Sequence, residues 1–404
     1  MLYQAYLAHC DMMGPLRALA SGAIAAIGIP PTGLTNTPLR NLTAVYELIA
    51  RAGLTHERPA FGIDTVMVGN RPVVVSEEAA LTTPYGTLLH FHKDIDMPQP
   101  RVLLVAPLSG HFSTLLRNTV ATMLPEHDVY ITDWHNVRDV PVESGAFGFD
   151  EYIDQIIRFL EVIGPGAHVI AVCQPCVAVL IAVAVMAAAG NPAQPRSMTL
   201  MAGPIDTRVN PTKVNVLAQS KPIDWFEQNL IARVPQRYPG AGRRVYPGFV
   251  QLGAFMSMNL DRHLKAHREL YQHLVNGETE KAKATKDFYD EYFAVLDLTA
   301  EFFLETVRLV FQEHALALGT LTWRGNKIEP RAIRRTMLLT VEGERDDICA
   351  VGQTMAAQEL CTSLRPYLKR HHLQLGVGHY GIFSGRRWEL QVYPLVKNVI
   401  LASD

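Results

Sequence analysis

His168-Val169-Ile170-Ala171-Val172-Cys173-Gln174-Pro175-Cys176-Val177-Ala178-Val179-Leu180 is the stretch on which the fold turns. Its first five residues, apolar after His168, read as a buried strand. The residues from Val177 to Ala189 are apolar and alanine-rich, and read as a helix. Cys173 therefore stands where a strand ends and a helix begins at once. That is the setting of a nucleophile elbow, usually written G-x-S-x-G. Strand and helix approach closely there, so the flanking residues must be compact. Ala171 meets this before the cysteine. Pro175 replaces the usual glycine after it, and proline is tolerated in a first helical turn, where its missing N–H has no intrahelical partner. A thiol so placed faces unpaired N–H groups and the positive end of a helix, which favour the thiolate.

Working outward, apolar strands alternate with helices. Residues 102–106, 129–132, 168–172 and 198–201 read as strands, and 113–123, 152–163 and 177–189 as helices. Continuous apolar strands between helices predict a parallel sheet covered on both faces. Upstream, residues 1–60 read as helical, broken at Pro30-Pro31 and Gly53. Residues 62–95 read as a β meander, with strands at 65–68, 72–75 and 87–91. Downstream, the alternation stops for residues 204–330, which read as a helical, aromatic insertion. Within it, Tyr289, Tyr292, Phe293, Leu296, Ala300, Phe303, Leu304, Val307, Val310 and Phe311 keep a helical period and predict one long amphipathic helix. The sheet pattern resumes with a strand at 337–341, a helix at 353–364, a strand at 372–375 and a closing helix at 387–401. The expected organisation is residues 1–203 as N-terminal helices plus the first part of a core, 204–330 as a cap, and 331–404 as the rest of the core.

Two further motifs follow the elbow in the chain order that an α/β-hydrolase requires, acid and then histidine. After the strand at 337–341 comes Glu342-Gly343-Glu344-Arg345-Asp346-Asp347-Ile348, with Asp346 the first choice of acid and Asp347 the second. After the strand at 372–375 comes Gly376-Val377-Gly378-His379-Tyr380-Gly381, with His379 the expected base. Each is common alone; in this order, each at the C-terminal end of a strand, they point to an α/β-hydrolase fold with a mostly parallel sheet and a helical cap. Oxyanion donors are expected from the N–H of Gln174 and from Pro107-Leu108-Ser109-Gly110-His111, where Ser109 or Leu108 supplies the second. His111 either lines the site or packs structurally.

Other readings compete. Cys173 could be a buried strand cysteine, or Cys-Gln-Pro-Cys a thioredoxin-like redox motif. The second fits poorly with the 172 residues before it and the parallel elements around it. His90-Phe91-His92 with Asp94 and Asp96 has metal-like spacing, but nothing else in the sequence converges on it, and no metal or organic cofactor is expected.

Composition narrows the function class. Of 404 residues, 48% are hydrophobic and 19% charged, as in ordinary globular enzymes. A net charge of −2, with only short basic clusters such as Arg243-Arg244 and Arg334-Arg335, argues against nucleic acid as a partner. Five sparse cysteines do not form a secreted disulfide framework. No basic segment opens the chain, so no secretory signal is expected, and the apolar run at 18–30 is too short to span a bilayer.

The chain resembles the intracellular poly(3-hydroxybutyrate) depolymerases of bacteria. The resemblance is carried by Val105-Ala106-Pro107-Leu108-Ser109-Gly110-His111, Ile131-Thr132-Asp133-Trp134-His135-Asn136 and Ala171-Val172-Cys173-Gln174-Pro175, together with the acid and histidine loops. It implies a cysteine nucleophile at Cys173, with Asp346 and His379 completing a triad. It also implies hydrolysis of stored polyester to 3-hydroxybutyrate oligomers or monomer, at polymer granules in the cytoplasm. The cap's Trp225, Phe226, Phe255, Met256 and Met258 would then grip an apolar polymer or pack the cap's own interior. A polyester synthase of the same fold, or a catalytically silent granule-coating protein, remains an alternative. Assembly into a homo-oligomer is compatible with the sequence.

Overall fold

The computed structural model describes residues 2–27, 37–258 and 260–404, without the side chains of residues 37 and 258. The expected break at Pro30-Pro31 and the side chain of Met258 lie outside what is described. Two helices open the chain, α1 (Leu2–Ile27) and α2 (Thr37–Arg51). The strands follow as β1 (Thr65–Val68), β2 (Arg71–Thr83), β3 (Gly86–Lys93), β4 (Arg101–Val105), β5 (Asp128–Trp134), β6 (His168–Val172) and β7 (Ser197–Met201). Interleaved with them are α3 (Arg117–Met123), α4 (Phe149–Ile163) and α5 (Pro175–Ala188). The segment after β7 carries three short strands, β8 (Ala232–Arg233), β9 (Arg244–Tyr246) and β10 (Leu298–Thr299), and a hairpin of β11 (Thr322–Trp323) and β12 (Asn326–Lys327). Its helices are α6 (Lys213–Gln219), α7 (Ile223–Leu230), α8 (Gly248–Met258), α9 (Leu260–Asn276), α10 (Thr279–Tyr292) and α11 (Ala300–Thr306). The core then resumes with β13 (Met337–Gly343) and β14 (Lys369–Gln374), and ends in a helix at Tyr393–Ser403.

Nine strands form one sheet in the order β1-β2-β3-β5-β4-β6-β7-β13-β14. The first three strands pair antiparallel, as a meander, and β3 pairs antiparallel with β5. From β5 to β14 all pairings are parallel. Every residue of β6, β7 and β13 is buried, which explains their largely apolar text. Helix α5 is buried on nearly all sides, so it shows no amphipathic stripe. The chain runs from β4 to β5 on one side and then crosses back to β6 on the other. This reversal of strand order makes a topological switch point, and it lies between the ends of β4 and β6.

Two expectations are corrected. The long helix through Tyr289 and Phe311 is broken: α10 ends at Tyr292 and α11 starts at Ala300. Between them Ala294, Val295, Leu296 and Asp297 are wholly buried, and Leu298 and Thr299 pair with Tyr246 and Val245. The Thr299 hydroxyl caps the new helix by accepting from the N–H of Phe302, 3.3 Å away. Tertiary pairing and a local cap thus override the helical period. The helix expected at 353–364 shrinks to Ala357–Leu360, because the preceding N–H groups bond a buried carboxylate, described below, instead of the helix ladder. Among the described residues no helix is long and apolar enough to cross a membrane.

Candidate active site

Cys173 sits at the β6–α5 junction with φ of 67°, in the left-handed region. A residue with a Cβ is strained there, and such strain collects at functional positions. Gln174 returns to the right-handed region and Pro175 starts the helix, as the missing proline donor allows. The N–H of Cys173 donates to the carbonyl of Met201 at 2.8 Å, tying the turn to the neighbouring strand. Cys176 lies behind the elbow, wholly buried, with its thiol aimed at the carbonyls of Ala171 (3.4 Å) and Met201 (3.5 Å). Burial pushes the Cys176 thiol well above its ordinary pKa, so this second cysteine is a packing residue.

Asp346 and His379 come from the loops after β13 and β14, the two parallel strands at that edge of the sheet. His379 Nδ1 and Asp346 Oδ2 are 2.8 Å apart. The other carboxylate oxygen, Oδ1, accepts the N–H groups of Ile348 and Cys349, each at 2.9 Å. The Asp346 side chain is wholly buried, whereas Asp347 is exposed. Burial alone would push the His379 imidazole down. Cys173 and Asp346, through charge and hydrogen bonding, outweigh it and hold the ring well above the ordinary histidine pKa. With Nδ1 engaged by Asp346, Nε2 is the nitrogen left for the thiol. Cys173 and Asp346, expected from distant stretches of sequence, thus both act on His379.

The N–H groups of Gln174, Leu108 and Ser109 have no acceptor among the described residues. The loop from Leu108 to Gly110 is fixed from outside. Gly110 has φ of 87°, its carbonyl accepts the Leu296 N–H at 2.9 Å, and a side chain there would meet Gln251 at 2.9 Å. His111 is buried, stacks on Tyr292 at 5.2 Å between ring centroids, and bonds the Tyr292 carbonyl through Nε2 at 3.2 Å. Burial lowers its pKa to about 4, so it is a neutral packing group that anchors the insertion.

Several residues with a bearing on the site escaped the sequence reading. Glu342, at the end of β13, is buried and accepts the N–H groups of Gly352, Thr354 and Met355 at 2.8–3.0 Å. It thereby fixes the loop that carries Asp346. Tyr380 packs edge-on to His379 at 6.0 Å and meets Phe288 of α10 at 6.5 Å. Tyr380 was visible beside His379 in the sequence, but its partner 92 positions earlier (Phe288) was not. Of the expected gripping residues, Phe255 and Met256 pack against the cluster of Leu252, Tyr289, Tyr292 and Val295, and Phe255 is 6.1 Å from the His111 ring. Trp225 packs instead on Phe226 and beneath Lys221.

The family model described as the C-terminus of PHB de-polymerase matches residues 202–404. The chain belongs to this family. The matched half holds the insertion, Asp346 and His379, while Cys173, Gln174 and Ser109 precede it. Membership places the chain among ester hydrolases. Solved structures with a similar chain course include the Paleococcus ferrophilus monoacylglycerol lipase, 12% identical, with a TM-score of 0.42 over 76% of this chain and 97% of that one. The Bacillus megaterium epoxide hydrolase is 12% identical, with a TM-score of 0.44 over 84% and 99%. The 2-hydroxy-6-oxo-6-phenylhexa-2,4-dienoate hydrolase of Rhodococcus sp. strain RHA1 is 10% identical, with a TM-score of 0.41 over 82% and 98%. No curated protein matches the chain.

Proposed function

We propose that this protein hydrolyses poly(3-hydroxybutyrate) to 3-hydroxybutyrate oligomers or monomer, at the surface of polymer granules in the cytoplasm, with Cys173 as nucleophile. The observation that carries this reading is the His379–Asp346 hydrogen bond, at 2.8 Å, on a ring that Cys173 also engages. His379 Nε2 takes the thiol proton first, as its raised pKa favours, and the Cys173 thiolate Sγ then attacks the ester carbonyl carbon. Asp346 keeps Nδ1 protonated and stabilises the imidazolium. The tetrahedral oxyanion is met by the N–H of Gln174 and that of Ser109, with Leu108 adjacent. Collapse breaks the ester C–O bond, and the departing hydroxyl end of the polymer takes the proton from His379. The acyl group is left as a thioester on Cys173. Water, deprotonated by His379, attacks this thioester, and the freed thiolate recovers a proton. Residues 204–330 act as a cap over the site, with Phe255 and Met256 among the residues that grip the substrate.

The test is release of soluble 3-hydroxybutyrate from amorphous polymer granules by purified protein. Release is expected from the native chain and not from Cys173→Ala. Polymer formation from 3-hydroxybutyryl-CoA would instead make the chain an acyltransferase. Granule binding without ester cleavage would make it a coat protein.

A further inference from the structure

The face of β3 opposite the buried Leu89 and Phe91 carries His90 and His92, which share it because side chains alternate along a strand. Glu78 of β2 is the direct cross-strand partner of His90. One ligand atom from each of Glu78, His90 and His92 lies within 4.8 Å of the others. We propose that Glu78, His90 and His92 form a binding site for a first-row transition-metal dication of the zinc class.

Metal–ligand bonds of 2.0–2.2 Å in a tetrahedron put ligand atoms about 3.4 Å apart, against a spread of at most 4.8 Å among the three ligand atoms here. The His90 ring is held in place before any ion arrives. Its Nε2 bonds Asp128 Oδ1 of β5 at 2.6 Å, and it stacks on Tyr130 at 4.2 Å, with ring planes 9° apart. With Nε2 engaged, Nδ1 is the nitrogen that remains for a metal. A carboxylate on the far nitrogen is the usual support of a metal-bound histidine, fixing its tautomer and raising its basicity. Two imidazoles and one carboxylate suit zinc and its neighbours rather than calcium or magnesium, and leave a position for water. The pairing of β2 with β3 shifts register between Ala79 and Leu81, just beyond Glu78. Such irregularities re-aim side chains at functional places. His90 pairs with Tyr130, Tyr130 with Leu103, and Leu103 with Val169. The site is thus three strands across from β6 and four residues back along the sheet from Cys173. It acts as a clip between β2 and β3, independent of the hydrolytic chemistry.

The experiment is titration of the chelator-stripped full chain with zinc chloride by calorimetry, with cobalt(II) absorption as a second readout of coordination. One ion per chain and a rise in melting temperature are expected. His92→Ala removes an exposed side chain, and Glu78→Gln a carboxylate at the same surface; each should weaken binding at least tenfold while leaving the circular dichroism unchanged. Asp128→Asn should weaken it about tenfold without removing a ligand. Absence of stoichiometric binding, or binding that His92→Ala and Glu78→Gln leave intact, would overturn the assignment.

Discussion

Gly203, just past the end of β7, lies so close to Cys176 that a Cβ at position 203 would sit 2.1 Å from the Cys176 Cβ. The elbow is thus built from both sides, with a strained cysteine in front and a residue without a side chain behind. Gly203→Ala should destabilise the fold by more than about 3 kcal/mol, the range of severe core overpacking. The clash is with Cβ, so Cys176→Ala should not rescue Gly203→Ala, whereas Cys176→Gly should in part. Cys176→Ala alone should keep most of the activity. Denaturant midpoints of the four variants check the geometry.

The left-handed φ of Cys173 separates strain from chemistry. Cys173→Ala and Cys173→Gly both lack the thiol and should both be inactive. They differ in the Cβ, which costs about 1–2 kcal/mol in this region, partly offset by the freer unfolded glycine. The glycine variant should therefore be the more stable of the two inactive proteins, by about 1 kcal/mol in urea unfolding. Equal stability would mean that the elbow is not strained.

Asp346 and Asp347 should respond differently to amidation. In Asp346→Asn the amide oxygen can still accept from Ile348 and Cys349, which leaves NH2 facing His379 Nδ1. The ring must then carry its proton on Nε2, the nitrogen needed to take one from the thiol. A loss of several orders of magnitude in kcat is expected, about 10⁴ in the comparable serine enzyme. Asp347→Asn should change kcat less than about threefold. In Asp346→Asn the His379 ring should also titrate lower by proton NMR, because one of the groups that raises it is gone.

Asp297 gives the fold a pH dependence of its own. Burial raises its pKa to about 6, against the opposing hydrogen bonds from the Gly248 N–H at 2.9 Å and the Tyr3 hydroxyl at 2.7 Å. An unfolded aspartate titrates near 3.9. Between these values the native state holds a proton that the unfolded state has lost. Stability is therefore full below the lower value and falls as pH rises through the upper one. Asp297→Asn does not titrate. Between about pH 3.5 and pH 7 its stability should gain on the native chain by about 3 kcal/mol, two pKa units at 1.36 kcal/mol each. Parallel stability curves for the two proteins would contradict this.

The core was legible because its signals are local. The uncharged strand at 168–172, Pro175 at the first helical position, and the Gly-x-Gly-His loop each state their role within a few residues. The α/β-hydrolase reading follows from them, and the nine-strand order agrees with it. The insertion was read less well because its structure is decided by distant partners. Nothing near Leu298 announces that it pairs with Tyr246, and nothing near Glu342 announces that it collects amides from the loop at 352–355. Glu78 was likewise invisible as a neighbour of His90, since a bulged pairing brings them together.

The segment from Ala294 to Leu298 has a mechanical consequence. It bridges to Thr55 on one side and to His111 on the other, then joins the small sheet through Leu298. The insertion is thus stitched into the core at its middle as well as tethered at its two ends, and it cannot swing away as one door. On the proposed reading, a polymer strand would reach Cys173 by local displacement of α8, α9 and α10, around a seam that stays shut. Hydrogen exchange would then divide the insertion in two: amides at 294–298 as slow as those of the central sheet, and amides of α8 and α9 fast enough to breathe on the timescale of chain entry.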